Sequence, residues 1–130
     1  MNMRILAPLA VPALLLGCAP MGPTAADVAD QRALAEARPV GPPVDCVPLR
    51  NIRNTRVRDD STIDFYMNGG RIYRNRLDAS CPQLGFEERF SYKTSLSQLC
   101  SLDTITVLTS SGPGGSCGLG VFQPVELSAR

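Results

Sequence analysis

The chain has 130 residues, with 13 basic against 12 acidic side chains and a formal net charge of +1. A field that weak gives no reason to expect nucleic acid or an acidic partner. The absence of histidine removes the commonest general base and the commonest metal ligand together. Arginine supplies 12 of the 13 basic residues, Lys93 being the single lysine.

Residues 1–17 read as a lipoprotein signal peptide. Arg4 and the amino terminus form a short positive region, and residues 5–16 form an apolar stretch of twelve. A helix of that length spans about 18 Å, short of a ~30 Å hydrocarbon core, and Pro8 and Pro12 interrupt it. Leu15-Leu16-Gly17-Cys18 closes the run as a lipobox. Cys18 is therefore the expected lipidation site and the membrane the first expected partner, since two or more acyl chains hold a protein to a bilayer where one does not. Ala19 stands where an aspartate often retains such proteins at the inner membrane. The expected location is the periplasmic side of the cell envelope, at the outer membrane in preference to the inner.

Cleavage before Cys18 leaves 113 residues, room for a tether over residues 18–45 and one small domain over 46–127. In the tether, Thr24 is placed to cap a helical stretch over residues 25–38 with Asp27 in its first turn. Its apolar side chains are mostly alanine, so it has little to bury and is expected to fray, and Pro39, Pro42 and Pro43 stop any helix and keep the chain extended.

With Cys18 assigned to lipid, Cys46, Cys81, Cys100 and Cys117 remain, an even set best read as two disulfides in an oxidising compartment. Three pairings are open. Cys81–Cys100 with Cys46–Cys117 is favoured, one closing a local excursion and the other tying the domain ends. The spacings contain no Cys-x-x-Cys knuckle, which argues against a zinc site.

From Cys46 onward the sequence is β-rich. Residues 47–57 read as extended, and Asp59-Asp60-Ser61 as a turn. Thr62-Ile63-Asp64-Phe65-Tyr66-Met67 alternates with period two, placing Ile63, Phe65 and Met67 on one face. Asn68-Gly69-Gly70 marks a hairpin. A two-residue loop would set Ile72 beside Phe65; a three-residue loop with Gly70 left-handed would set Tyr73 there and pair Asp64 with Arg74. Further along, residues 86–92 read as a short strand and 95–100 as one helical turn opened by a capping-box spacing. Residues 104–109 form the clearest strand, 110–116 a glycine-rich loop and 117–125 a last strand. The expected fold is mainly all-β: a small, disulfide-braced twisted sheet or partly closed barrel of five or six short strands, with a partly helical N-terminal tether.

Asp45-Cys46, Ile52-Arg53-Asn54-Thr55-Arg56, Tyr73-Arg74-Asn75-Arg76-Leu77, Cys81-Pro82-Gln83-Leu84-Gly85 and Ser116-Cys117-Gly118-Leu119-Gly120-Val121-Phe122-Gln123-Pro124 occur in that order along the chain. This series resembles an uncharacterised family of short proteobacterial envelope proteins, a domain of unknown function, over residues 45–125. The resemblance implies a shared fold and supplies no activity.

Catalytic patterns are weak. The stretch over residues 112–120 lacks the Gly-Lys-Ser/Thr and helix of a phosphate loop. Ser91 and Lys93 do not form Ser-x-x-Lys, and the pairs Asp59/Asp60 and Glu87/Glu88 are adjacent and so unsuited to one acid–base cleft. Asp59, Asp60 and Asp64 lack the spacing of a calcium loop. No catalytic residue, metal or cofactor is expected. Seven arginines, at positions 50, 53, 56, 58, 71, 74 and 76, fall within 27 residues. On neighbouring strands they could form a cationic strip, with Arg50, Arg53, Arg56 and Arg74 as candidate anion-binding residues. The sequence thus points to a non-enzymatic binding or structural accessory whose partner is an envelope protein, an anionic glycan or lipid headgroups. The alternative is a small inhibitor or protective factor acting through the loop at 110–116.

Overall fold

The computed structural model describes residues 17–19 and 21–127, so positions 1–16 of the expected leader lie outside the described residues. In chain order the elements are α1 (Ala25–Glu36), β1 (Arg38–Pro39), β2 (Cys46–Pro48), a 3₁₀ turn (Leu49–Asn51), β3 (Ile52–Asp59), β4 (Thr62–Met67) and β5 (Ile72–Arg76). They continue with α2 (Leu84–Glu87), β6 (Phe90–Tyr92), β7 (Gln98–Cys100), β8 (Thr104–Thr109), β9 (Gly112–Gly118) and β10 (Phe122–Glu126). The strands form three antiparallel sheets, none closed: β1-β10-β5-β4-β3, β6-β8-β9, and the pair β2-β7. Among the described residues no helix is long and apolar enough to cross a membrane.

The hairpin of β4 and β5 organises the larger sheet. Gly69 and Gly70 both have positive φ, at 87° and 85°, a region open to glycine without a Cβ clash. The Met67 amide donates to the Arg71 carbonyl across a three-residue loop. Phe65 therefore faces Tyr73 and Asp64 faces Arg74, the second of the two registers the sequence left open. Alternation then sends Ile63, Phe65 and Met67 inward. All three sheets join them in one apolar cluster, with Val47 and Leu99 from the β2-β7 pair and Ile105 and Val107 from β8. Phe65 meets Phe122 edge-on at 5.3 Å and Phe90 at 6.4 Å between ring centroids, the geometry the aromatic quadrupole favours.

The mainly β class holds, with four corrections of detail. Ten strands occur among the described residues instead of five or six, because β1, β2, β6 and β7 are only two or three residues long and exist through their partners. Residues 98–100, expected to close a helical turn, form β7 against β2. Residues 86–89 leave the expected strand, with 84–87 taking a short helical turn. The glycine-rich stretch at 112–116 belongs to β9, paired along β8, so the loop proposed for an inhibitor is a strand edge.

The favoured cysteine pairing is also overturned. The disulfides are Cys46–Cys100 and Cys81–Cys117. In the β2-β7 ladder Cys46 lies directly opposite Cys100, and cross-strand neighbours of this kind have Cβ atoms within bonding reach. Cys81 is held by its amide on the Asp60 carbonyl, at 2.7 Å, and its partner Cys117 lies on β9.

Finally, residues 18–45 are not wholly a tether. α1 packs over β3, β1 pairs with β10, and Val44 forms a bridge with Phe122. The helix could not dock by apolar burial; its attachment is ionic.

Candidate functional site

The side of the five-stranded sheet away from the apolar cluster carries buried charge. On β4 the outward residues are Thr62, Asp64 and Tyr66, and Asp64 is fully buried. Its neighbour across the hairpin, Arg74 on β5, holds it with a fork: Nε donates to Oδ1 at 2.7 Å and Nη2 to Oδ2 at 2.8 Å. Arg58 on β3 donates from Nε to Asp64 Oδ2 at 2.9 Å and from Nη2 to the Tyr66 hydroxyl at 2.8 Å. Its Nη1 reaches Asp30 Oδ1 of α1 at 2.7 Å, and Arg56 adds a bond to the same oxygen at 3.0 Å. Asp30 is the one residue of α1 that is buried.

Charge-assisted bonds of this kind are short and strong, and the arrangement needs every member, because a buried ion without its partners is costly. Burial alone would pull the Arg58 pKa down. The hydrogen bonds that Arg58 donates to Asp30 and Asp64, with the electrostatic influence of Tyr66 and Asp64, outweigh it and leave the guanidinium above its ordinary value. Arg58 is a permanent cation. The small side chains of α1 allow the close approach this network needs: the Ala33 carbonyl accepts from Arg74 Nη2 at 3.3 Å.

The arginine strip thus divides. Arg74 is only 3% exposed and is an ion-pair partner; its place among exposed anion-binding residues is corrected, because α1 covers the face on which it stands. Arg56 is exposed at its end yet tied to Asp30. Arg50, Arg53, Arg71 and Arg76 are exposed and form no ion pair among the described residues. Arg50 and Arg71 flank the hairpin turn, where the Asn68 side chain donates to the Arg50 carbonyl at 3.3 Å. Cys18 is exposed and free.

The acidic candidates separate likewise. Asp59 accepts from the Ser61 amide at 2.8 Å, Asp60 from the Gly85 amide at 2.7 Å, and Asp64 sits in the network. Among the described residues no three of His, Cys, Asp and Glu converge as metal ligands.

Two features of this region escape a reading of the sequence. Asp30 sits in an alanine-rich helix whose partners lie 26 and 28 residues away, and its only signal is an acidic residue on a helix with few large apolar ones. Asn75, fully buried, pairs with Gly120 through both side-chain atoms, at 2.7 and 2.8 Å. A Cβ at Gly120 would strike the Arg76 carbonyl, so β5 and the approach to β10 are locked at a point only glycine fits. Beside that lock, between β5, β10, β1 and the end of α1, lies a cavity of about 280 Å³. Compared with known proteins, the chain matches no family model, no curated protein and no solved structure.

Proposed function

We propose that this chain is a lipid-anchored binding module of the cell envelope, held to the bilayer through Cys18 and acting without catalysis on an envelope protein, an anionic glycan or lipid headgroups. The observation that carries the reading is a lipobox, Leu15-Leu16-Gly17-Cys18, followed by a domain braced by two disulfides, a combination suited to an oxidising compartment outside the cytoplasm. The family resemblance over residues 45–125 and the outer-membrane location belong to the same proposal.

The packing of α1 adds a distance to it. Only residues 19–24 separate Cys18 from the first helical residue, and six extended residues reach about 20 Å. A module on so short a leash works at the bilayer surface. Exposed Arg50, Arg53 and Arg71 suit that position, since basic side chains near an anionic surface are each worth about 1 kcal/mol of attraction.

Metabolic labelling with palmitate tests the anchor. The wild-type protein should carry label and fractionate with membranes, and Cys18→Ala should lose the label and leave the membrane lipoprotein fraction. Label retained by Cys18→Ala would overturn the reading.

A further inference from the structure

We propose that the cavity between β5, β10 and the end of α1 binds a small amphipathic carboxylate, an apolar body of a few carbons with one anionic head. The inference deepens the binding-module reading and rests on it, and it names the ligand class.

The cavity follows from how the outer face is covered. α1 packs over β3, and Asp30 fixes it there through Arg56 and Arg58. The helix ends at Glu36 and Ala37 is its cap, so the outer face of β5 and β10 is left uncovered beyond it. At the border of that stretch Arg74, itself covered by α1, stands opposite Gln123, and Val125 stands opposite both Ile72 and Pro39. The short side chains of Ala37, Pro39, Val121 and Val125 leave the space, and Arg74, Arg76 and Gln123 supply its polar lining. Its volume of about 280 Å³ falls just under the roughly 300 Å³ at which ligand pockets begin, so its occupant is small.

The charge of the occupant is set by the arginines. Arg74 is buried, and its Nη1 has no hydrogen-bond partner among the described residues, the one buried side-chain nitrogen or oxygen of which this is true. Native proteins leave few such groups, and each calls for a reason. Arg56, Arg58 and Arg74 share two buried carboxylates, Asp30 and Asp64, so that network keeps an excess of positive charge. Arg76 lines the cavity and forms no ion pair among the described residues. A carboxylate matches the planar guanidinium fork, and the apolar wall accounts for the rest of the ligand.

Titration of the full-length protein with hexanoate, followed by amide NMR shifts, tests the site, with hexan-1-ol and inorganic phosphate as controls. Hexanoate should bind saturably, with shifts centred on Arg76, Val121 and Gln123. Hexan-1-ol and phosphate should each bind at least tenfold more weakly. Arg76→Gln, on an exposed and unpaired side chain, should weaken hexanoate at least tenfold. Gln123→Glu, which adds a negative charge to the lining but loses the amide's bonds to the Gly41 and Pro124 carbonyls, gives a second variant with the same expected direction. Absence of saturable shifts would overturn the site. Equal binding of hexan-1-ol would make it a plain apolar pocket, and equal binding of phosphate a general anion patch; either outcome overturns the carboxylate assignment. Palmitate labelling is independent of this result, so loss of the ligand leaves the anchor standing and loss of the anchor leaves the ligand standing.

Discussion

The two faces of the five-stranded sheet come from the same residues of β4, taken alternately. Ile63, Phe65 and Met67 enter the apolar cluster, while Thr62 and Asp64 are as deeply buried on the other side. The inner face gains free energy from every apolar group removed from water, roughly 25 cal/mol per Å², and needs no particular partner. The outer face gains little from burial as such. Each of its charges loses water on burial, and only a complete set of partners offsets that loss. The inner face therefore supplies the drive to fold, and the outer face fixes where α1 sits and where the sheet stays uncovered.

Truncation on each face should separate the two roles. Phe65→Ala removes a fully buried ring that meets Phe90 and Phe122 edge-on, and should cost about 3–5 kcal/mol in urea unfolding. Asp64→Ala should cost a similar amount, about 3–5 kcal/mol, by stranding Arg74 and Arg58 in a buried site. The paired replacement Asp64→Leu with Arg74→Met breaks the symmetry. It removes both charges, leaves Asp30 with Arg58 and Arg56, and should recover most of the lost stability. A double variant as unstable as Asp64→Ala alone would show that the pair drives folding as the inner face does.

That division also marks what the sequence can disclose. The inner face is readable: Thr62 to Met67 alternates, Asn68-Gly69-Gly70 turns, and the β-branched run at 104–109 is the strand β8. These signals are local, fixed by period and turn chemistry. The outer face depends on pairings distant in sequence. One of the two hairpin registers sets Arg74 opposite Asp64, but nothing near either residue shows that α1 is laid over the pair and not over Arg53. β7 has three residues and no strand signature of its own; it exists because β2 lies beside it. The cysteine pairing is misjudged from sequence for the same reason, since Cys100 meets Cys46 only in that ladder. β9 is rich in glycine and serine, residues that rarely announce a strand, and it is held by β8.

The disulfides sharpen the comparison at the next scale, because they brace β2, β7 and β9, strands whose local signals are poor. Cys46–Cys100 and Cys81–Cys117 span 54 and 36 residues, and loops of that length are each worth up to about 4 kcal/mol in the chain-entropy account, with about 2–4 typical. Cys46→Ser with Cys100→Ser should lower the unfolding free energy by about 2–4 kcal/mol and raise hydrogen exchange first in β2 and β7. Peptide mapping of the unreduced protein should recover Cys46 with Cys100, and a Cys81–Cys100 peptide would refute the strand pairing itself.

The smallest effect belongs at the edge of the charged face, where α1 begins. Thr24 accepts the Asp27 amide at 3.1 Å, and Asp27 Oδ2 in turn accepts the Thr24 amide at 2.8 Å, a reciprocal capping box. Thr24→Ala should cost about 1 kcal/mol, the usual worth of such a cap. Hydrogen exchange should rise in the first turns of α1 and stay unchanged in β4. The hydrogen bonds from the Thr24 side chain and backbone hold the Asp27 pKa below its ordinary 3.8. A carboxylate depressed in the folded state stabilises above its unfolded pKa and loses that contribution as the pH falls through the folded one. Protection of the first turn should therefore weaken below about pH 4 in the wild type, with a smaller step in Thr24→Ala. If α1 keeps full protection without its cap, the ion pairs of Asp30 alone hold the helix, and the length of the leash from Cys18 is then set by the outer face and not by the helix terminus.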